Sequence, residues 1–409
     1  MNVSDYIHEM AARAREAAAG LAKLSAAEKN AALLAVADRL EADRDRIRAA
    51  NAADVENARR AGLKESLVDR LTLTDARFRA MVDGVRSVAS LPDPVGETLW
   101  TRPRPSGITI RKVRVPFGVV AVVFESRPNV LVDTAALCLK TGNAIILRGG
   151  KEAIGSNAAL AESVRGALAQ AGRGEAVQFV GIPDHAAVTE IVRAVGLVDV
   201  AIPRGGERLI RAMCEAALVP VLKHYKGVCH VYVDDRADLA MALAILDNAK
   251  TQRTGVCNAA ECLLVHEALR PLFMPMVRAW AKDRGVKLHV AGEEPDGAID
   301  WEREFLALEL NVGFVGGVRE AVAHVNRHGS HHSDCIVTND GERAREFLRD
   351  VDSAAVYHNV STRFTDGGEF GMGAEIGIST DKLHARGPMG LEELTTYKYT
   401  VTGDGVVRK

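Results

Sequence analysis

The sequence has few aromatic residues, no long apolar run and no closely spaced pair of cysteines. Aromatic residues make up 5% of its 409 residues, and the six cysteines include no C-x-x-C pair. Zinc modules and disulfide frameworks depend on characteristic cysteine spacings, so the sequence predicts neither. No apolar run reaches the roughly 18 residues that a membrane-spanning helix needs, so we expect no membrane partner.

The beginning of the chain also lacks a targeting signal. The segment MNVSDYIHEMAARAREAAAG has no basic start followed by an apolar core, which a secretory signal would show. We therefore expect a cytoplasmic location, where the reducing environment keeps cysteines as thiols. The formal net charge of −2 argues against a general surface for binding nucleic acid.

Composition and length predict a globular protein of two or three domains. Hydrophobic residues make up 47% of the chain and charged residues 26%, as in ordinary soluble proteins. The first ninety residues predict helices, because Ser25 and Glu28 form a capping-box pattern and Thr74 is a candidate cap for a later helix. Residues 108–113 alternate like a half-exposed strand.

From Val115 onward the sequence alternates between short apolar runs and amphipathic stretches. This alternation predicts βαβ units around parallel sheets, whose buried strands are nearly continuous apolar runs. The predicted strands of a first set are Val119–Phe124, Ala144–Leu147, Val177–Val180 and Val198–Ile202. A second set consists of His230–Val233, Glu261–Val265, Lys287–Val290, Cys335–Thr338 and Ala354–Tyr357. The predicted fold class is therefore α/β, with a domain boundary near Lys226.

Cys257 is the candidate nucleophile among the six cysteines. It lies in the polar run Lys250–Asn258, two residues after a glycine, which predicts a loop in which a thiol is exposed. A nucleophilic cysteine needs exposure and an electropositive setting that favours the thiolate. The other five cysteines lie in helix or strand patterns, and we interpret them as small core residues. The alternative interpretation of Cys257 is the same, a buried structural residue.

Three segments directly follow predicted strands of the first set, where ligands bind in open α/β sheets. Asn129 can donate its amide to a developing oxyanion, or it can cap the helix that follows. The other segments consist of Arg148, Gly149, Gly150 and Lys151, and of Gly205 and Gly206. Their glycines allow a close approach of phosphate to the backbone, and the two cations suit a ribose phosphate. The standard G-x-G-x-x-G fingerprint is absent.

A histidine-rich stretch invites comparison with metal sites. His324 and His328 are four residues apart and would share one helix face, and His331, His332 and Asp334 follow. The spacing of these residues matches no motif of metal ligands. We therefore predict no metal site.

Seven segments between Val115 and Leu391 resemble the aldehyde dehydrogenase superfamily. They resemble most closely the branch of it whose substrate is the acyl phosphate L-glutamyl 5-phosphate. The segments are VPFGVVAVVFESRPNV, KTGNAIILRGGKEA, IPRGGERLI, PVLKHYKGVCHVYVD, NAKTQRTGVCNAAECLLVH, VREAVAHVNRHGSHHSDCIVTND and FTDGGEFGMGAEIGISTDKLHARGPMGL. The stretch Glu320–Ile336 is the most specific, since it resembles a signature of that branch.

The resemblance implies roles for the candidate residues. It implies that Cys257 is the nucleophile and that Asn129 contributes to the oxyanion hole. Arg148 stands where the superfamily has a lysine on the cofactor ribose, and Gly205–Gly206 would lie at the pyrophosphate. Glu304 would hold the nicotinamide ribose.

Charge and position add three candidates for the substrate's phosphate or carboxylate. These are Arg253, Lys223 and Arg363.

The resemblance further implies an aldehyde-dehydrogenase-like architecture of three parts. These are a Rossmann-like cofactor-binding domain (1–97 and 115–226), a Rossmann-like catalytic domain (227–390) and a small β oligomerisation flap (98–114 and 391–409). The flap would pair the strand near Ile108–Val113 with the C-terminal strand in a homo-oligomer. A transient association with glutamate 5-kinase is a further partner hypothesis.

Two departures from ordinary aldehyde dehydrogenases are informative. Those enzymes carry a general-base glutamate in a Glu-Leu-Gly-Gly motif, whereas the corresponding stretch Leu222–Gly227 has no carboxylate. Thioester hydrolysis needs a base to activate water, so the absence favours exchange with phosphate. Lys151 stands where relatives that use NAD often have a carboxylate, and its charge favours the 2′-phosphate of NADPH.

The resemblance thus implies an NADPH-dependent reduction of L-glutamyl 5-phosphate to L-glutamate 5-semialdehyde, through a cysteine thioester, in proline biosynthesis. The alternative enzyme is another acylating aldehyde dehydrogenase that uses coenzyme A. The alternative of a different class is a catalytically silent binding or assembly protein. Retention of Cys257, Asn129 and the cofactor segments favours an enzyme.

Overall fold

The computed structural model describes residues 2–295 and 297–408, and the chain divides into two compact units. The first unit comprises Met1–Lys223, Gly371–Gly377 and Met389–Lys409, and the second comprises His224–Phe370 and Ile378–Pro388. Within the described ranges, no helix is both long and apolar enough to span a membrane.

Five helices open the first unit. They are α1 (Val3–Leu21), α2 (Ala26–Ala42), α3 (Arg44–Arg60), α4 (Glu65–Leu71) and α5 (Asp75–Ser90). The predicted capping box is confirmed, because the Ser25 hydroxyl accepts from the Glu28 amide and the Glu28 carboxylate accepts from the Ser25 amide. Thr74 caps α5 as predicted, accepting from the amide of Arg77.

The chain then forms two antiparallel strands and begins to alternate between strand and helix. The elements are β1 (Thr98–Pro103), β2 (Thr109–Pro116), β3 (Val119–Phe124), α6 (Asn129–Lys140), β4 (Ala144–Arg148), α7 (Ile154–Ala169), β5 (Val177–Phe179), α8 (Ala186–Arg193), β6 (Val200–Arg204) and α9 (Glu207–Ala216). Four of these strands form a parallel sheet in the order β5-β4-β3-β6. Every residue of β3 and β4 is buried, as their apolar sequences predict.

The second unit contains a six-stranded parallel sheet. Its elements are β7 (Cys229–Val233), α10 (Leu239–Thr251), β8 (Ala260–His266), α11 (Arg270–Arg284), β9 (Lys287–Val290), β10 (Glu309–Val315), α12 (Val318–His328), β11 (Ser333–Val337), α13 (Gly341–Asp350) and β12 (Ala355–His358). The strand order is β12-β11-β7-β8-β10-β9. Residues of α10 and α11 pack on one face of the sheet, and residues of α12 and α13 pack on the other. The α/β class with parallel sheets is confirmed.

The sequence pattern did not predict β10, although it predicted the five other strands of this sheet. Asn311 and Gly313 interrupt the apolar residues of β10. The Asn311 amide donates to the Asp300 carbonyl at 2.9 Å, and a Cβ atom at Gly313 would lie 3.0 Å from the Trp301 ring. Contacts with the loop that precedes β10 therefore select these two residues, which interrupt the apolar pattern of the strand.

A three-stranded antiparallel sheet lies in the first unit. After the short strands β13 (Gly377–Ser379) and β14 (Gly387–Met389), the chain ends with β15 (Thr395–Thr402). The sheet order is β1-β2-β15, so the predicted pairing of the strand near residue 110 with the C-terminal strand is confirmed. Tyr397, Tyr399 and Val401 of β15 are exposed.

Candidate active site

Cys257 lies, as predicted, in the loop that connects α10 to β8. Its side chain is half-buried, as is that of Cys214. The other four cysteines are buried, which agrees with their interpretation as core residues; they are Cys138, Cys229, Cys262 and Cys335. The second unit therefore contains one partly exposed thiol in its described residues, and this thiol is Cys257.

The Cys257 backbone is packed tightly against the segment that precedes β7. The Cys229 thiol donates to the Cys257 carbonyl at 3.2 Å. A Cβ atom at Gly227 would lie 1.7 Å from the same carbonyl oxygen, so only glycine fits there. The Gly227 amide in turn donates to a carboxylate oxygen of Glu304 at 2.8 Å. These contacts fix the backbone position from which the thiol projects.

We predict that Gly227→Ala destabilises the protein and displaces the Cys257 loop. The added methyl group overlaps the Cys257 carbonyl, and overpacking of this kind costs about 1–3 kcal/mol. Thermal unfolding and the rate of Cys257 alkylation measure the two effects. Gly317→Ala is the matched control, because no atom lies within 4 Å of its Cβ position. Equal melting temperatures and alkylation rates for both variants would contradict the close packing.

Two histidines of the second unit lie beside the Cys257 thiol. One side-chain atom each of His224, Cys257 and His332 lies within 4.8 Å of the others. The His224 Nδ1 is 2.8 Å from the Ile378 carbonyl, which can only accept, so Nδ1 carries the proton and the lone pair of a neutral ring is on Nε2. Burial, with a contribution from His224, holds the pKa of His332 well below its ordinary value, so this ring is neutral.

Arg363 gives the Cys257 loop a positive charge. Its Nε donates to the Gln252 side chain at 2.8 Å, and its guanidinium also donates to the side-chain oxygen of Asn258. Burial lowers the pKa of Arg363, as does the nearby Arg253, while Cys257 opposes the shift. An arginine remains charged despite such a shift. Arg363 therefore lies near the thiol and Arg253 lies near Arg363, a setting that favours the thiolate and attracts anions.

Asn258 holds the loop to the segment that carries Arg363. Its side-chain amide donates to the Thr365 carbonyl at 2.9 Å, and its backbone carbonyl accepts from the Thr362 hydroxyl at 2.7 Å. A cleft of about 690 Å³ opens beside these residues, and its lining includes Asn248, Gln252, Ser361, Arg363 and Asp366. Cys257 is not part of that lining, but Gln252 and Arg363 belong to both features.

A buried ion pair fixes the two ends of the loop. Lys250, in the last turn of α10, donates to Glu261 of β8 at 2.6 Å, and neither side chain is accessible to solvent. The second Glu261 oxygen accepts from the Leu306 amide. Burial raises the pKa of Glu261 and lowers that of Lys250, while each charge opposes the shift of its partner. Each charge stabilises the charged form of the other. The pair therefore holds the end of α10, the start of β8 and the loop at Leu306 together.

In the first unit, the predicted cofactor segments lie at one edge of the four-stranded sheet. The segments that begin at Glu125, Gly149 and Gly205 follow the carboxyl ends of the neighbouring strands β3, β4 and β6. Asn129 begins α6, whose cap position is Pro128, so the alternative role of Asn129 as a cap is wrong.

Asn129 is oriented by a neighbour on its own helix. Its amide donates to Asp133 at 2.8 Å. Burial raises the pKa of Asp133 to about 6, although Asn129 and Arg204 oppose the shift. The contact fixes the amide nitrogen of Asn129 and thus the direction of its remaining N–H.

The segment after β4 contains one buried and one exposed cation. Arg148 is buried and donates to the Pro183 carbonyl at 3.1 Å, while its Nε has no hydrogen-bond partner among the described residues. Lys151 is exposed. Cβ atoms at Gly149 and Gly150 would lie 2.1 Å from the Asn157 side chain and 2.2 Å from the Glu152 carboxylate, so a larger residue at either position would have to displace one of these side chains.

A carboxylate lies at the second predicted phosphate position. The Gly206 amide, at the N-terminus of α9, donates to Glu125 at 2.8 Å. A Cβ atom at Gly205 would lie 2.5 Å from the same oxygen. A pyrophosphate at this helix end would therefore compete with Glu125 for the amide.

Some residues of this site were predictable from the sequence and others were not. The predicted residue Arg363 lies near Cys257, and the predicted residue Arg253 lies near Arg363. Lys223, the third prediction, is the last residue of the first unit's long segment. No sequence pattern indicated a role for Asn258 or Gly227, although each is the last residue of a candidate segment. The sequence suggested His332 only as a metal ligand, because 75 residues separate it from Cys257.

Comparisons with known proteins agree with this arrangement. The family model described as "Aldehyde dehydrogenase family" matches residues 3–291. A gamma-glutamyl phosphate reductase from Moorella thermoacetica is 51% identical over 420 aligned positions that cover all of both chains. The crystal structure of a gamma-glutamyl phosphate reductase from Thermotoga maritima is 44% identical, with a TM-score of 0.96 over 98% of this chain and 100% of the other.

A eukaryotic structure extends the similarity. The crystal structure of a gamma-glutamyl phosphate reductase from Saccharomyces cerevisiae is 31% identical, with a TM-score of 0.57 over 100% of this chain and 99% of the other. The identities exceed what a shared fold alone would produce, and they extend over the full length of each chain. The chain belongs to the aldehyde dehydrogenase family of oxidoreductases and, within it, to the gamma-glutamyl phosphate reductases.

Proposed function

We propose that the protein reduces L-glutamyl 5-phosphate to L-glutamate 5-semialdehyde with NADPH, in proline biosynthesis. The observation that carries the proposal is the partly exposed Cys257 thiol in a rigid loop beside Arg253 and Arg363. The names of the full-length relatives supply the substrate class. A cytoplasmic location follows from the reducing conditions that a free catalytic thiol needs.

In the proposed reaction Cys257 acts as a nucleophile. Its thiolate attacks the acyl carbon, a C–S bond forms, the C–O bond to phosphate breaks, and inorganic phosphate leaves. Arg253 and Arg363 stabilise the departing phosphate, and Asn129 donates to the oxyanion of the tetrahedral intermediate. After reduction of the thioester, the thiohemiacetal releases the aldehyde and restores the thiolate. Lys223 is a further candidate for the substrate carboxylate.

The first unit offers groups that fit a phosphorylated dinucleotide. The Arg148 Nε is buried without a hydrogen-bond partner in the described part of the chain, and Lys151 is exposed at the same strand end. These two cations would hold the ribose and its 2′-phosphate, and Gly205–Gly206 would lie at the pyrophosphate, which would replace the Glu125 carboxylate at the Gly206 amide. Glu304, a residue of the second unit, would hold the nicotinamide ribose. NADPH, when bound, supplies the hydride that reduces the acyl group.

The experiment that tests the function is the reverse reaction with purified protein. We expect NADP⁺ reduction with glutamate 5-semialdehyde and phosphate, with L-glutamyl 5-phosphate as the product. Propionaldehyde with coenzyme A is the comparison, since it tests the alternative of a coenzyme A-dependent enzyme. Faster NADP⁺ reduction with propionaldehyde and coenzyme A, or none with either pair, would refute the proposal.

We predict that Lys151→Glu lowers the preference for NADPH over NADH by about 10- to 100-fold. Loss of a charged contact to phosphate costs roughly 1.5–3 kcal/mol, which corresponds to one to two decades in the specificity ratio. The ratio of kcat/KM for the two cofactors measures the effect. Lys23→Glu is the matched control, because Lys23 is an exposed lysine of the same unit. An unchanged ratio in Lys151→Glu would show that this lysine does not contact the 2′-phosphate.

We also propose that the three-stranded sheet β1-β2-β15 serves homo-oligomerisation. It exposes large side chains, with Tyr399 54% and Val401 56% accessible. Exposed apolar groups on an edge strand favour pairing with another chain. Association with glutamate 5-kinase, which would supply the acyl phosphate, remains a separate partner hypothesis.

A further inference from the structure

We propose that His230, Cys262 and His324 form a binding site for one zinc-like transition-metal ion in the second unit. One ligand atom of each residue lies within 4.8 Å of the others. This inference departs from the sequence-based expectation of no metal site. The sequence pattern grouped His324 with histidines that follow it, whereas the two other proposed ligands lie on strands far away in the sequence.

The register of the sheet places three polar side chains in a row. Asp334 of β11 is paired with His230 of β7, and His230 is paired with Cys262 of β8. Paired residues on adjacent strands direct their side chains to the same face of a sheet. Helix α12 packs on the face that contains Cys262, and it contributes His324. Three secondary-structure elements therefore converge on one point.

The distances are close to those of a tetrahedral metal centre. Cys262 Sγ is 4.0 Å from His324 Nε2. Zinc–sulfur and zinc–nitrogen bonds of roughly 2.3 Å and 2.0 Å separate the two ligand atoms by about 3.5 Å in tetrahedral geometry. A small side-chain movement is sufficient to bring the ligands to bonding distance. Three protein ligands leave the fourth position for water or another side chain.

His230 provides the second, independent observation. Its side chain is fully buried, and its Nε2 has no hydrogen-bond partner among the described residues. The other ring nitrogen, Nδ1, is 3.0 Å from an oxygen of Asp334. A carboxylate that binds one histidine nitrogen orients the other towards a metal, an arrangement typical of zinc sites. A buried nitrogen without a partner is otherwise costly.

Asp334 is itself held in place. One of its oxygens accepts from the His230 backbone amide at 2.8 Å, and the other accepts from the Ser353 hydroxyl at 2.5 Å. Its carboxylate and the Cys262 thiolate together balance the two positive charges of a divalent metal ion. The net charge of the proposed ligands and Asp334 therefore suits a divalent metal ion, as do the distances between the ligand atoms.

Charge also distinguishes this site from the cluster of His224, Cys257 and His332. The latter lies near Arg253 and Arg363, which repel a cation and attract an anion. His230, Cys262 and His324 have the Asp334 carboxylate beside them instead. Two clusters in the described part of the chain combine a thiol with two imidazoles. We therefore assign the metal to the one that contains Cys262.

The metal would fasten α12 to the sheet. His324 is half-buried and packs edge-on against Trp301 with ring centroids 4.8 Å apart. The His328 ring lies 4.8 Å from that of His324 on the next turn of the helix, and it too is half-buried. The site is therefore accessible to solvent on the side of His324 and His328. A metal ion bound to β7, β8 and α12 at once would raise the melting temperature of the protein.

Titration of the purified full-length protein with Co²⁺ tests the proposal. We expect one Co²⁺ per chain, with an intense near-ultraviolet band from thiolate-to-cobalt charge transfer. Cys262→Ser should lose the band, and Cys257→Ser should keep it. Asp334→Asn should weaken Co²⁺ binding about 10- to 100-fold. Zn²⁺ should displace Co²⁺ and raise the melting temperature of the wild type.

The two cysteine variants separate the possible results. Loss of the band in Cys257→Ser but not in Cys262→Ser would place the metal at the other thiol and overturn the proposal. The absence of any thiolate band in the wild type would overturn it as well. His324→Asn is a ligand variant that we expect to fold, because His324 is half-buried on a helix. An unchanged Co²⁺ affinity in this variant would also contradict the site. None of these readings depends on the enzymatic reaction.

Discussion

Cys257→Ser should abolish turnover, lowering kcat by roughly 10³-fold or more, while NADPH still binds. A serine hydroxyl is a far weaker nucleophile than a thiolate at neutral pH, and it gains little from the nearby cations. The contacts that fix the loop use the Cys257 carbonyl oxygen, so the substitution leaves them in place. Steady-state rates and NADPH fluorescence in the variant measure the two effects.

Cys214→Ser is the matched control for this experiment. Cys214 is also half-buried, but it lies on α9 in the first unit. We expect its rate to stay within a factor of two or so of the wild type, as for most surface changes. A Cys257→Ser enzyme that retains wild-type activity would remove the thiol from the mechanism, and a Cys214→Ser enzyme that loses activity would move the search to the first unit.

In the aldehyde-oxidising direction, sustained NADP⁺ reduction should require phosphate or arsenate. Without either anion, turnover should stop after at most one NADPH per active site, because the thioester at Cys257 has no acceptor. Hydrolysis would need a base to activate water, and residues Leu222–Gly227 contain no carboxylate. Phosphate is a nucleophile that needs no strong base at neutral pH, and Arg253 and Arg363 attract it. Stopped-flow absorbance in a phosphate-free buffer measures the burst.

His224 is the residue that can contradict this expectation. Its tautomer is fixed by the Ile378 carbonyl, which leaves the lone pair of the neutral ring on Nε2, as a general base requires. Steady turnover without phosphate, with glutamate as the product, would mean that hydrolysis occurs. His224→Gln then identifies the base, because glutamine retains an N–H for the Ile378 carbonyl but loses the basic nitrogen. Loss of the steady rate in this variant would assign hydrolysis to His224.

Local patterns predicted much of the fold. Buried strands such as β3 and β8 are nearly continuous apolar runs, and a run of this kind has few other stable arrangements. β10 was missed because Asn311 and Gly313 satisfy contacts with Asp300 and Trp301, and these contacts outweigh strand preference. β1 was also missed, since its exposed residues show no apolar alternation.

The candidate site was less predictable, because its members are close only in the folded chain. A glycine two residues before Cys257 was enough to predict a loop. Nothing in the sequence indicated that Gly227 touches the Cys257 carbonyl, or that His332 lies beside the thiol. The carboxylate of Glu125 at Gly206 was equally hidden, although a helix N-terminus after a strand suggested a phosphate. Sequence patterns predict the helices and strands. The contacts between residues of different helices, strands and loops follow from the topology of the folded chain.

The ion pair of Lys250 and Glu261 restricts how this loop can diverge among related proteins. Removal of one partner leaves a buried charge alone, which costs about 3–5 kcal/mol, whereas joint replacement by apolar residues can be neutral. Homologous chains should therefore keep both residues or exchange both together. Since the pair also fixes the span from α10 to β8, insertions and deletions should be rare among the nine positions 251–259 and common in the exposed turn at Gly292 and Glu293. An alignment would show this as covariation at two positions and a constant length between them.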